Sequence, residues 1–306
     1  MLPRPDNPNA AERLREIAMS PEHQLTHLPK NPYCEVCRRA KLCNAQHRRK
    51  VNRTAASSSL PKPPKRFGAH LVADHIVAHS ERSRGFTGDG NALVLRDVLT
   101  GYIGCYPMKT RTGPETVRCL SEFIGPYQRI DMVYSDNSRE LAYAIKRFRA
   151  IRGSTLHPTS TPGFPATNSL AEGTVKLVAE GARSMLANSG LPACCWPWAS
   201  RYFTHSYNTR MVDGDSAWNR RHKAGHFEGK RVPFGALIHF IGSPQEMKAL
   251  PKGAPRGIPG IFLGWKILPG GFGTGSITSC GCRTFRLPTF TTRPTCSRWP
   301  FIQSSR

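Results

Sequence analysis

Acidic residues are scarce in this chain: 20 Asp and Glu stand against 44 Lys and Arg over 306 residues, a formal charge of +24. Nor does any apolar run approach the ~18 residues that would cross a bilayer, so no spanning helix is expected. No basic segment followed by an apolar one opens the sequence, and its ten cysteines lack the dense, even spacing of a small secreted framework. Both absences point to a reducing compartment without disulfides. Residues 276–306 hold no Asp, Glu or Lys and no periodicity, so a disordered tail is expected over 275–306. What remains is ample: 39% hydrophobic residues can build a core and exclude disorder throughout. The positive charge runs along the chain instead of sitting in one tail. It calls for a polyanionic partner, nucleic acid ahead of an anionic membrane surface.

The chain divides by composition. Residues 1–50 form a short segment rich in His and Cys that ends in the basic run Gln46-His47-Arg48-Arg49-Lys50. Residues 51–68 are rich in Ser and Pro, which removes packing groups and backbone donors and marks a linker. Over 69–210 the pattern alternates. HLVADHIVA, NALVLRDVLT and GYIGCYPMKT read as strands between Gly/Asn turns, and 114–127 has apolar residues at helical spacing. RIDMVYSD is a further strand, SRELAYAIKRFRAI a helix and STLHPTS a fifth strand. Residues 166–190 make a long helix capped by Asn168 or Ser169 and stopped at Gly190, and Cys195 to Tyr207 an aromatic one. Three hairpin-linked strands followed by alternating helices and strands imply α/β architecture, a mixed sheet with helices on its faces. Residues 225–274 read as short strands with Gly/Pro turns, a small β-rich, barrel-like module.

Two carboxylates break otherwise apolar strands. Asp74 interrupts Leu71-Val72-Ala73 and Ile76-Val77. An ionised carboxylate there needs an arginine, a helix N-terminus, a metal ion or a solvent-facing edge to compensate it. Asp136 ends the strand in RIDMVYSDNSRE, where open α/β sheets place their active sites. Two carboxylates on neighbouring strands repel unless a cation sits between them, and a divalent metal answers that most economically. Glu172 opens the long helix, with thirty-five residues between it and Asp136.

The order of an Asp in the first strand, Ser135-Asp136-Asn137-x-x-Glu140, then His157-Pro158-x-Ser160-x-Pro162-x-x-Pro165-x-x-Asn168-x-x-Ala171-Glu172 resembles the catalytic core of retroviral and retrotransposon integrases, most closely those of copia-type elements. The resemblance implies an RNase H-like, mixed five-stranded sheet with flanking helices. It implies that Asp74, Asp136 and Glu172 form a D,D-35-E triad holding two Mg²⁺ (or Mn²⁺) ions, with Asp74 bridging them. Such a pair activates an attacking water or DNA 3′-hydroxyl and neutralises the leaving oxygen. It also implies DNA as partner, a homo-oligomer, and a nuclear, chromatin-associated place after passage through the cytoplasm. Two positions depart from the family pattern: Ser138 stands where Gly is usual, and Gly173-Thr174-Val175 follows Glu172 where an Arg is usual.

PEHQLTHLPKNPYCEVCRRAK offers His23 and His27 at i, i+4 and Cys34-x-x-Cys37, which can close a tetrahedral His₂Cys₂ zinc site. Cys34, Cys37, Cys43 and His47 are a rival set with less regular spacing. Integrases carry an N-terminal zinc domain of the first kind, with a longer gap between the pairs. Among the basic residues Lys176, one helical turn beyond Glu172, is the best candidate for a phosphate contact. Lys109 and Arg183 are further DNA-binding candidates, and most other cations, Arg111 among them, read as a solvated basic face. His157 reads equally as a substrate contact or a structural hydrogen-bond partner, and the Trp196/Trp198 cluster reads as packing. Three functions stay open: an integrase-type strand transferase, a degraded zinc-containing DNA-binding remnant, and an RNase H-like nuclease that does not join strands.

Overall fold

The structure is a computed structural model that describes residues 8–42, 64–78, 80–153, 155–159 and 169–281. Three short helices come first, α1 (Pro8–Met19), α2 (Pro21–Thr26) and α3 (Glu35–Ala40). Then follow β1 (Leu71–Val77), β2 (Asn91–Asp97), β3 (Ile103–Met108), α4 (Gly113–Ile124), β4 (Val133–Ser135) and α5 (Arg139–Arg152). Next are α6 (Ser169–Ser189), α7 (Trp196–Thr209) and α8 (Ala217–His222), and last β5 (Leu237–Ile241), α9 (Pro244–Lys248), β6 (Gly257–Ile267) and β7 (Gly273–Gly281). The linker residues 51–63, the cap candidate Asn168, the rival ligands Cys43 and His47, and the tail beyond Gly281 lie outside the described residues.

The main sheet has the order β3-β2-β1-β4, antiparallel except for the parallel pair β1/β4. Its strands are apolar on both faces because both are covered. On β2, Leu93 and Leu95 face a core built with Leu120 and Phe123 of α4 and Leu141 and Phe148 of α5. Ala92 and Val94 face the other way, onto Val178 and Met185 of α6 and Phe203 of α7. Arg221 of α8 ties the end of the linker to the first core. Its guanidinium lies 4.0 Å over the Phe67 ring and 4.3 Å over Tyr102, and it donates to the Phe123 carbonyl at 2.6 Å.

Four strands, and not the expected five, form this sheet among the described residues. The segment 155–159 does run beside β4, but through two isolated parallel bridges, Met132 with Leu156 and Ser135 with Thr159. Pro158 lies between them and has no N–H to give to a ladder. The C-terminal strands also differ from expectation. They form an open antiparallel sheet of order β5-β6-β7, with β5 and β7 both at edges, so the described residues close no barrel. β7 takes in residues 275–281, the start of the expected tail, because β6 offers it a backbone edge to pair with. Phe262 and Leu263 of β6 join Phe203 and Val178 in one core, so this sheet packs onto the helical layer of the first.

Two glycines of α6 have opposite surroundings. A Cβ on Gly181 would collide with the Phe203 ring, which marks the close approach of α6 and α7, whereas one on Gly173 would meet open space. Gly181→Ala is therefore expected to cost about 1–3 kcal/mol by overpacking. Gly173→Ala is expected to gain about 0.5–1 kcal/mol by removing backbone freedom from the unfolded chain. Urea unfolding of the two variants checks the opposed signs.

Candidate functional site

The parallel register of β1 and β4 sets the carboxylates side by side. Leu71 faces Val133, Val72 faces Tyr134 and Ala73 faces Ser135, and Asp74 and Asp136 are the next residues along the two chains, which run about 4.8 Å apart where they pair. Asp74 shares its face of β1 with Val72 and Ile76, and its partner on β2 is Val94, which packs toward α6. α6 crosses β1 and β2 on this face and carries Glu172, exposed, in its first turn. The electrostatics follow the geometry. Burial raises the Asp74 carboxyl above its ordinary range, Asp136 and Glu172 push the same way, and the His75 N–H and Arg111 oppose them.

The His75 N–H donates to Asp74 Oδ1 at 2.7 Å, while the buried Oδ1 of Asp136 has no hydrogen-bond partner. A hard divalent cation suits this donor set, because it supplies a partner for the orphaned oxygen and relieves repulsion that the chain itself leaves in place. The three carboxylates are nonetheless spread wider than a closed ligand set. Among the described residues the ligand atoms all lie within 4.8 Å of one another only in the His/Cys quartet described below.

The sequence left the surroundings of these carboxylates unread. Arg111, exposed at the end of the β3–α4 loop, also pairs with Glu140 of α5 and so takes part in the site's electrostatics. His75, next to Asp74, is partly buried with neither ring nitrogen partnered. Burial and Arg111 keep it neutral by lowering its pKa, against Glu140 and Asp136. Only the strand order brings these residues together. His157 takes the structural role: its Nε2 bonds Ser135 Oγ at 2.8 Å, and that hydroxyl donates to the Asp136 carbonyl, which anchors the segment 155–159 beneath the site.

The second cluster is tighter. Ser20 caps α2 by accepting from the His23 N–H, and Pro21 opens the helix. His27 closes it at φ 50°, a left-handed turn that sends the chain back toward Cys34 and Cys37. All four side chains are buried. Cys34 Sγ lies 3.5 Å from His27 Nδ1 and Cys37 Sγ 3.5 Å from His23 Nε2. Tetrahedral zinc with bonds of about 2.3 Å to sulfur and 2.0–2.1 Å to nitrogen sets ligand pairs about 3.5 Å apart. The quartet therefore fits zinc, and of the two candidate sets it is the one whose ligands all lie within the described residues. Burial lowers His23 and takes His27 down to about 4, so both imidazoles are neutral and able to bind metal. Burial raises Cys37. Lys41, itself buried, donates to the His27 carbonyl at 2.7 Å and supplies a positive charge that favours the thiolates.

Lys109, Lys176 and Arg183 are exposed. On α6, Glu172, Lys176 and Arg183 recur at helical spacing along one outer stripe, while Thr174, Val178 and Met185 line the buried side. The tryptophans are packing groups: Trp196 Nε1 donates to the Ser83 carbonyl at 3.0 Å, and Trp198 lies 5.7 Å from the Phe86 ring.

No protein-family model matches the chain, and no curated protein is similar to it. Among solved structures, a chain of the simian T-cell lymphotropic virus intasome, bound to a phosphatase regulatory subunit, is similar at a TM-score of 0.43 and 16% identity. The match covers 64% of this chain and 69% of that one. The catalytic core domain of BIV integrase is similar at a TM-score of 0.38 and 13% identity, over 50% of this chain and 92% of that one. Likeness at this level carries no argument about chemistry. No helix of the described residues is long and apolar enough to cross a membrane.

Proposed function

We propose that this chain is a polynucleotidyl transferase of the integrase type, joining a DNA 3′-hydroxyl to target DNA for a retrotransposon of the copia kind. The observation that supports the reading is that Asp74 and Asp136 follow directly on the paired residues of β1 and β4, and that Asp136 and Glu172 both act on the Asp74 carboxyl. Asp74, Asp136 and Glu172 would hold Mg²⁺ or Mn²⁺, which when bound supplies an activated attacking oxygen and charge neutralisation at the leaving one. The chain's own part is positional. The His75 N–H fixes one Asp74 oxygen, the apolar neighbours on β1 hold the carboxylate rigidly, and the unpartnered Asp136 oxygen is left free to ligate. In the joining step the 3′-oxygen attacks phosphorus, the opposite P–O3′ bond breaks and the departing oxygen takes up a proton, with no covalent bond to the protein.

Lys176, Lys109 and Arg183 would steer the DNA backbone toward the carboxylates. Replacing Lys176 or Arg183 by Ala is expected to weaken binding equally across sequences. Each change should make the plot of log affinity against log salt shallower by about one unit, measured by fluorescence anisotropy. Nuclear, chromatin-associated action as a homo-oligomer belongs to the same reading.

The test is a Mg²⁺-dependent strand-transfer assay on short duplexes. Joined product is expected, and its absence with intact DNA binding would favour a degraded DNA-binding remnant. Two features support that second reading: the wide spacing of the carboxylates, and Gly173 in place of a side chain that could reach DNA. Nicking without joining would favour a nuclease.

A further inference from the structure

A cleft of about 420 Å³ opens where α2, the end of α7, the segment 227–232 and Trp265 of β6 meet. Its volume falls within the roughly 300–1,000 Å³ of small-ligand sites. Its walls mix the aromatic Tyr202, Phe227 and Trp265 with aliphatic side chains such as Leu25 and Leu28, and its charged lining is Arg210, Lys230 and Arg231 against the single acid Glu22. None of these three cations forms an ion pair among the described residues. Tyr202 holds its wall in place by donating to the Val232 carbonyl at 2.9 Å.

His205 also lines the cleft. The residue is 6% exposed, its ring stands edge-on to Phe227 and Trp218, and neither ring nitrogen has a hydrogen-bond partner. A buried polar group left so is costly unless something completes it. Burial alone takes its pKa to about 4, so it stays neutral and offers one donor and one acceptor. A phosphate, which only accepts, has little use for such a pair. A nucleobase edge, which both donates and accepts, matches it. The half-buried Trp265 for stacking, a neutral imidazole in the wall and cations without ion pairs around the opening together describe a nucleotide.

We infer that this cleft takes one unpaired nucleotide of a DNA strand, its base stacked on Trp265 with its edge toward His205 and its phosphates at Arg210, Lys230 and Arg231. The inference rests on the proposed action on DNA only for the source of the nucleotide. It is tested on the full-length, zinc-loaded protein without added magnesium, so that no catalysis is read. Anisotropy compares a blunt hairpin duplex with the same duplex carrying a two-nucleotide overhang that contains 2-aminopurine; deoxynucleoside monophosphate serves as competitor. The overhang should bind about tenfold more tightly, as stacking of one base allows, and its 2-aminopurine fluorescence should be quenched. Trp265→Leu should remove the preference and leave blunt-duplex affinity unchanged. Should that variant misfold, Lys230→Ala with Arg231→Ala, both at exposed positions, should also reduce the preference. Equal affinity for both duplexes with no quenching overturns the site. Tight binding of the free monophosphate with no preference for the overhang overturns the strand as its source. A protein that prefers the overhang but joins no DNA leaves this site standing while the strand-transfer reading falls.

Discussion

Asp74→Asn is expected to abolish strand transfer while leaving the metal-free protein at least as stable as the parent. The two effects have one cause. Asp74 is pushed above the ordinary carboxylate range first by burial and then by Asp136 and Glu172, so its ionised form is held in place against the preference of the fold. An amide of the same shape removes that penalty and still accepts the His75 N–H. It also removes a hard anionic ligand. Electrostatic stabilisation by bound metal is worth several kcal/mol, so losing it should slow joining by about 10³-fold or more.

A purely structural carboxylate would behave the other way: its loss would lower stability, and activity would fall only with folding. Because the folded pKa of Asp74 is raised, its contribution is fully present below the unfolded value, near 3.8. It is lost as pH rises through the raised folded value, so at neutral pH the metal-free parent carries the whole penalty. Melting curves with and without Mg²⁺ test this. The parent should gain stability on adding the metal, because a ligand that binds only the folded state stabilises it. The variant should start level or higher and gain little. A variant that melts well below the parent without metal would sink the assignment of Asp74 as a ligand.

The strands and helices of the core were legible because both faces of the sheet are buried and the helical periodicities are strong; 114–127 and 138–151 differ from α4 and α5 only at their ends. Asp74 and Asp136 could be singled out because a carboxylate in an apolar strand is conspicuous. Their adjacency was an expectation from the resemblance, since periodicity alone does not show that β4 lies parallel to β1. The pairing of Arg111 with Glu140 could not be read at all, since they are 29 positions apart in a chain where a basic residue is the commonest charge. The expected fifth strand shows only as two bridges among the described residues, and β-propensity ignores the ladder bond that Pro158 cannot make. His205 gave no signal at all: a histidine in an aromatic helix reads as core until the cleft beside it is seen.

Removing zinc, or replacing Cys37 by Ser, is expected to unfold residues 8–42 outright. The only buried apolar cluster that this segment makes for itself is Ala18, Cys34 and Cys37, flanked by Tyr33 and Val36. Two of its three buried members are thus the proposed ligands, and what holds the segment without the metal is the packing of Leu25 and Leu28 against the second core. Structural zinc commonly supplies about 10–16 kcal/mol of apparent binding free energy in such units. Hydrogen-exchange protection of α2 and α3 should therefore collapse while that of β1 and β2 persists.

Acid should do the same. The folded pKa of His27 is lowered to about 4, and that of His23 is lowered too, from an ordinary 6.5. Between those values the unfolded chain binds more protons, so the stability of the segment is present above about 6.5 and is lost as pH falls toward 4. Protons also compete with zinc for the same nitrogens, so zinc release measured with a metallochromic indicator should steepen below pH 6.5. His23→Asn and His27→Asn should release zinc at neutral pH, whereas Cys43→Ser and His47→Ala should retain it. The reverse pattern would hand the metal to the rival ligands. Because His23 also lines the nucleotide cleft, any variant that loses zinc should lose the overhang preference with it, which couples the two sites through a single wall.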